Sequence, residues 1–165
     1  MPTQIEINVM KLLTAIELTP AAGQKIKEWG NEAVTVVAEA ALGVYPGLRP
    51  KVRTNAAALL GWIDHPQASE TILLLVNDSN QDVAIRAIRA AAVQKAASVV
   101  DKLDQLLSQT NTSPILAAEA AKALIAIGTP KAQAALQSYE TASPDSSPHR
   151  ASRVVANVIQ TKRKI

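Results

Sequence analysis

The sequence predicts an all-α fold, an α-α superhelix in which helix–turn–helix units follow one another as a solenoid. Of the 165 residues, 48% are hydrophobic, only 2% are aromatic and none is Phe. The apolar content is therefore Ala, Leu, Ile and Val, which suits closely packed helices better than sheets. Segments also recur with a period of about 32 residues. Proline and glycine mark several of the expected helix boundaries, although the middle unit lacks both.

The clearest repeat is a pair of segments that lie 64 residues apart. Residues 60–68 and 124–132 share Leu, Ile, Pro and Ala at identical spacing. The unit between them begins near Val83, where residues 83–92 resemble 52–61 at an offset of 31. Two periods of about 32 residues therefore separate the outer segments, and three units are predicted across this part of the chain.

The residues that flank the apolar stretches predict where each helix starts and stops. A hydroxyl residue before proline is a typical start, and glycine a typical stop. The expected caps are Thr19, Ser113, Thr129, Ser147 and Asp82, and the expected stops are Gly43, Gly47 and Gly128. The predicted helices span 4–17, 20–29, 32–42, 50–63, 67–77, 82–95, 98–109, 114–127, 130–140 and 148–162.

The repeat units and the end helices together predict one domain over residues 1–165. Residues 1–18 form an N-terminal capping helix, 19–140 form three or four helix pairs, and 141–165 form a loop, a C-terminal capping helix and a basic tail. Each pair has an apolar face that it cannot cover alone, so stacking neighbours is expected to bury one continuous core.

Two segments carry a resemblance to a known repeat. Residues 52–68 have the pattern V-R-x-x-A-A-x-L-L-G-x-I-x-x-P-x-A, and residues 120–132 follow its second half. This pattern resembles the short HEAT-like repeat found in phycocyanin-chromophore lyase subunits and in many bacterial scaffold proteins. The resemblance covers about 50–140, and 20–43 more faintly. It implies the fold and a contact face on the second helices, which line the concave side, but no particular task.

Arginines near the start of successive first helices are candidates for a structural ladder. Arg53 and Arg86 occupy these positions, and Asp82 is close in sequence to Arg86. In arrays of the kind that this chain resembles, such an Arg often bonds an acidic group of the adjoining unit. The same arginines could instead contact an anionic ligand.

The second helices supply the candidate protein-contact surface. Leu73 and Leu74 are unusual there because their equivalents in the next unit, Asp104 and Gln105, are polar. The pair either marks a protein contact or is covered by the preceding unit or the 44–49 loop. The predicted outward positions are Glu70, Leu73, Leu74, Asn77, Asp101, Asp104, Gln105, Ser108, Gln137 and Glu140.

Catalytic, metal and cofactor sites are not predicted. His65 and His149 are 84 residues apart, without the spacing to other ligands that a metal site needs. No phosphate-binding glycine loop or nucleophile motif is present. The net charge of +3 is too small to predict nucleic-acid binding. No signal peptide or membrane span is expected, and the absence of cysteine fits a cytoplasmic protein.

The leading hypothesis is a protein-binding scaffold or adaptor, or a small subunit of a larger assembly, rather than an enzyme. One alternative is a lyase-like or regulatory subunit that acts on a phycobiliprotein or another tetrapyrrole protein. A second alternative is a helical-repeat module that binds nucleic acid.

Overall fold

A computed structural model describes residues 1–15, 18–140 and 150–163 of the chain, and it confirms the all-α, helical-repeat class. The described residues contain ten α-helices and no strand. The helices are α1 Gln4–Leu13, α2 Pro20–Trp29, α3 Asn31–Leu42, α4 Pro50–Leu59, α5 Pro66–Leu75, α6 Gln81–Gln94, α7 Val100–Ser108, α8 Pro114–Ile127, α9 Pro130–Glu140 and α10 Arg150–Arg163. Short 3₁₀ turns follow α4 at Leu60–Trp62 and precede α7 at Ala97–Val99.

Several predicted caps are confirmed. The Ser113 hydroxyl accepts a hydrogen bond from the Leu116 amide at 3.3 Å, and that of Thr129 accepts one from Ala132 at 3.2 Å. Gly43 adopts the left-handed conformation, with φ of 78°. Gly128, with φ of 66°, closes α8 in the same conformation, which favours glycine. Ser147 lies outside the described residues.

Several of the predicted boundaries are wrong. Helices α4 and α5 end at Leu59 and Leu75, before the predicted 63 and 77. Thr19 precedes α2 without a capping hydrogen bond from its side chain, and Gly47 ends no helix because α3 already stops at Leu42.

Asn80, rather than Asp82, caps α6, because its side-chain oxygen accepts from the Asp82 amide at 3.0 Å and the Val83 amide at 3.3 Å. The first helix ends at Leu13 instead of continuing to 17. The side-chain amide of Asn55 donates to the carbonyls of Leu13 and Ala15, which satisfies backbone acceptors where α1 ends.

The chain divides into two compact units, Met1–Gln94 and Lys95–Ile165. In unit 1, α3 lies at the centre and packs against α1, α2, α4 and α5. Its small apolar side chains, among them Ala33, Val37 and Ala40, are fully buried. The first helices α4 and α6 pack against each other, as do the second helices α3 and α5. This alternation is the arrangement that the 32-residue period predicts.

Two glycines permit the close approach of first helices in unit 1. A Cβ on Gly61 would lie 2.8 Å from Cα of Ala90 on α6. A Cβ on Gly23 of α2 would lie 2.5 Å from the carbonyl oxygen of Trp62. Neither contact leaves room for a side chain, so these positions require glycine for packing rather than for backbone conformation.

In unit 2, α8 packs against α7, α9 and α10. The buried side chains of α8 are mostly alanines, whereas α7 contributes leucines such as Leu103 and Leu107. The second helices, with the turn that precedes α7, bury the following side chains: Ala68, Ile72, Leu75, Val99, Leu103, Leu106, Ala132 and Leu136. The assignment of residues 1–165 to a single domain stays a prediction.

Candidate protein-binding surface

A side-chain hydrogen bond sets the register between the second helices of unit 1. The hydroxyl of Thr35 on α3 donates to the side-chain oxygen of Gln67 on α5 at 3.0 Å. The two residues are 32 positions apart, which equals the period of the repeat. Positions that differ by 32 on α3 and α5 are therefore side by side in space.

Arg53 of α4 joins the carboxyl ends of the same two helices. Its Nε donates to the carbonyl of Ala41, in the last turn of α3, at 2.9 Å. Its Nη2 forms a part-buried ion pair with the carboxylate of Asp78, just beyond the end of α5. With Thr35 and Gln67 meeting near the helix starts and Arg53 joining the ends, α3 and α5 run parallel.

This register places two exposed leucines at equivalent positions. Leu42 of α3 and Leu74 of α5 are 32 residues apart, each seven positions beyond a member of the Thr35–Gln67 pair. Their exposed fractions are 39% and 60%. Val44, two residues after Leu42, is 60% exposed. We name the surface formed by the exposed Leu42, Val44, Leu74 and Glu70 and the half-buried Glu39 the α3–α5 face.

A carboxylate lies one helical turn before each leucine on the α3–α5 face. Glu39 precedes Leu42 by three positions, and Glu70 precedes Leu74 by four, which are spacings that share one side of a helix. The phenol of Tyr45 donates to Oε2 of Glu39 at 3.0 Å. Burial, together with the Glu39 carboxylate, raises the pKa of Tyr45 above its ordinary value of 10, so the phenol remains a donor to a higher pH than a free tyrosine does.

The predicted contact residues of α5 have different accessibilities. Glu70 and Leu74 are exposed, as is Asn77 just beyond the helix. Leu73 is half-buried and makes contacts within the protein. Of the two adjacent leucines singled out by the sequence, Leu74 is therefore the one that presents most of its surface to solvent.

The predicted contact residues of unit 2 are more extensively bonded within the protein. Asp101 forms an exposed ion pair with Lys131 at 2.6 Å. Asp104 is half-buried, and the hydroxyl of Tyr139 donates to its side chain at 3.3 Å. The remaining described positions, Gln105, Ser108 and Gln137, are exposed. Gln137 also has a bonding partner within the protein. The side chain of Glu140 lies outside the described residues.

The structure also locates the predicted ladder residues. Arg53 has Asp78 as its acidic partner, whereas Asp82 and Arg86 are exposed on α6. Asp82 and Arg86 line a shallow depression on the first helices together with Thr54 and Arg89. The ladder role of Asp82 and Arg86 stays a prediction.

Three contributors to the candidate surface were not identified from the sequence: Leu42, Val44 and Glu39. Leu42 lies 32 residues before Leu74, so a comparison of Leu74 with the preceding unit would have identified it. Leu73 and Leu74 were compared only with the following unit. Nothing in the sequence shows that Asp78 is the partner of Arg53, because that contact depends on how α4 packs against the end of α5.

Metal-binding clusters and membrane-spanning helices are both absent from the part of the chain that the structure describes. Within 1–15, 18–140 and 150–163, no group of three or more His, Cys, Asp or Glu side chains is placed to hold a metal ion. His65 instead caps α5, since its Nδ1 accepts from the Gln67 amide at 3.2 Å. No helix in the described part of the chain is both long and apolar enough to span a membrane. The surface can bind by apolar contact and by charge.

Alternating helices, packed first against first and second against second, define a helical-repeat protein. Comparison with known families identifies the repeat. A family model of HEAT repeats matches residues 68–154, more than half of the 165 residues, and the chain belongs to this family. HEAT repeats commonly serve as scaffolds for protein–protein interaction and are typically not enzymes. No curated protein sequence matches the chain significantly.

Proposed function

We propose that the chain is a non-enzymatic scaffold, adaptor or small assembly subunit that binds another protein in the cytoplasm through its second helices. The observation that carries this proposal is the 60% exposure of Leu74 on α5, beside the equivalent Leu42 on α3. Apolar side chains clustered on an otherwise polar helix surface are typical of protein contact sites. The family to which the chain belongs supports the same role.

The accessible residues favour unit 1 as the principal contact region. The carboxylates of Asp101 and Asp104 in unit 2 already have partners in Lys131 and Tyr139. Glu70 and Leu74 in unit 1 are exposed. A partner that binds the α3–α5 face would therefore displace water but no internal ion pair, which lowers the cost of binding.

Affinity capture from the native host tests the proposal. The tagged chain, its Leu74→Asp variant and its Val93→Asp variant are compared, since Val93 is 57% exposed but lies on the first helix α6. We expect Leu74→Asp to abolish capture of a protein that the unchanged chain and Val93→Asp both retain, with helical circular dichroism intact in all three. Equal capture by both variants would remove the α3–α5 face from the proposal.

A further inference from the structure

Charge is segregated between the first and second helices of unit 1. The first helices α2, α4 and α6 carry five basic side chains besides the ion-paired Arg53, against the acidic Glu28 and Asp82: Lys25, Lys27, Lys51, Arg86 and Arg89. The second helices α3 and α5 carry Glu32, Glu39 and Glu70 and no basic residue. The sequence lacks Lys and Arg throughout 54–85 and 28–48. Arg53 does reach the ends of α3 and α5, but it is ion-paired there with Asp78.

The carboxylates of the second helices are not neutralised by ion pairs in the described structure. Glu32 accepts a hydrogen bond from the Thr3 hydroxyl at 2.7 Å, and Glu39 accepts one from Tyr45. Both donors are uncharged hydroxyls, so neither hydrogen bond is an ion pair. Glu70 is exposed on α5. The α3–α5 face therefore combines apolar side chains with a net negative charge, although the whole chain has a net charge of +3.

The spacing between α3 and α5 is similar to the length of seven residues of an α-helix. Neighbouring packed helices lie about 10 Å apart, which sets the separation of Leu42 and Leu74 across α3 and α5. A helix rises about 10 Å over seven residues. A helix laid across α3 and α5 can therefore place apolar residues i and i+7 on the two leucines, with its flanking positions above Glu39 and Glu70.

We infer that the partner of the α3–α5 face is an amphipathic helix whose apolar stripe is flanked by Lys or Arg. This inference rests on the proposed function and specifies the chemistry of the partner. The leucines contribute the contact area, and the carboxylates select basic over acidic segments through charge complementarity. The basic first helices would repel the same partner, which directs it to the second helices.

A pair of synthetic peptides tests the sign of the charge. One is a fluorescein-labelled 14-residue helix of leucines and lysines with leucines on one side, and the other replaces every lysine with glutamate. Binding to the full chain is measured by fluorescence anisotropy at low and moderate salt. We expect saturable binding of the lysine peptide, at least about tenfold tighter than the glutamate peptide, and weaker binding as salt is raised.

Four variants locate the site. Leu74→Gln should weaken binding of the lysine peptide about tenfold, and Glu70→Gln about threefold with a smaller salt dependence. The matched controls are Val93→Gln and Glu28→Gln, which change comparable side chains on first helices. Both controls should bind like the unchanged chain. All four positions are exposed, so circular dichroism is expected to confirm the fold of each variant.

Each other outcome overturns the inference. If the glutamate peptide bound more tightly, with the same dependence on Leu74, the face would bind acidic rather than basic helices. The proposed function would then stand. Equal effects of Glu28→Gln and Glu70→Gln would indicate non-specific attraction. No binding of either peptide would reject this partner class, while capture from the host still tests the proposed function. Leu74-dependent dimerisation in sedimentation equilibrium would assign the face to a second copy of the chain.

Discussion

The side-chain amide of Gln94 donates to the carbonyl of Leu60 at 2.8 Å and thereby ties the end of α6 to the 3₁₀ turn after α4. The same amide nitrogen donates to the carbonyl of Ile63 at 3.0 Å, and the amide oxygen accepts from the Ser69 hydroxyl at 2.9 Å. One half-buried side chain therefore satisfies two backbone acceptors where a helix ends and holds three elements of unit 1 together.

Replacement of Gln94 by leucine should destabilise the protein by about 1–3 kcal/mol, because two carbonyls lose their donor without regaining water. The matched control is Gln105→Leu on the exposed side of α7, which should change the free energy of unfolding by less than about 0.5 kcal/mol. Urea unfolding followed by circular dichroism measures both. Equal effects of the two substitutions would contradict the role assigned to Gln94.

Arg53→Ala should lower the free energy of unfolding by about 2 kcal/mol. It removes the ion-pair partner of Asp78, whose side chain is only 12% exposed. Arg53→Lys should recover only part of that loss, since an ammonium cannot reproduce the fork that reaches both Ala41 and Asp78. The control is Lys131→Ala in the exposed pair with Asp101, expected to cost about 0.5 kcal/mol or less. Denaturant unfolding that ranks Lys131→Ala above Arg53→Ala would refute this assignment.

Gly61→Ala should destabilise unit 1 by about 1–3 kcal/mol, since the added methyl would meet the backbone of Ala90 at 2.8 Å. At an unobstructed helical position, the same change would stabilise by about 0.5–1 kcal/mol. The sign of the effect in thermal or urea unfolding is therefore diagnostic. A stabilised variant would show that α4 and α6 do not approach as closely as the structure places them.

Both tyrosines should ionise late in the folded protein. Burial and the Glu39 carboxylate raise the pKa of Tyr45 above 10, while burial and Asp104 raise that of Tyr139 to about 12. The protonated phenol is thus favoured by folding, so its stabilising contribution is complete below about pH 10 and is lost as pH rises through the folded values. Ultraviolet titration should show little tyrosinate at about pH 11 in the native chain, but ionisation near pH 10 in denaturant. A native midpoint near 10 would disprove the shifts.

The class of fold could be predicted from the sequence because the 32-residue period, and proline and glycine at helix ends, indicate helices whatever the tertiary packing. The bounds of α2, α8 and α9 agree with prediction for this reason. The cap of α6 was misassigned because residues 78–82 contain several side chains able to cap, and Asp78 is engaged by Arg53. A local pattern does not show which residue a distant arginine will bind.

The candidate site was predictable only in part. Leu74 could be singled out because the next unit has a polar residue at its equivalent position. Its half-buried neighbour Leu73 points about 100° away around α5. Whether that direction is covered depends on how α5 packs against other elements, which the local sequence does not show. Similarly, the engagement of Asp104 by Tyr139 depends on how α7 and α9 approach, and 35 residues separate the two in sequence.

Site-specific photo-cross-linking shows whether the partner contacts the α3–α5 face. A photoreactive phenylalanine derivative is placed at position 74 or, as control, at position 93, and the chain is irradiated in its native host. We expect one dominant adduct from position 74, identified by mass spectrometry as a peptide rich in Lys or Arg beside apolar residues, and none from position 93. An adduct from position 93 with none from position 74 would contradict this expectation.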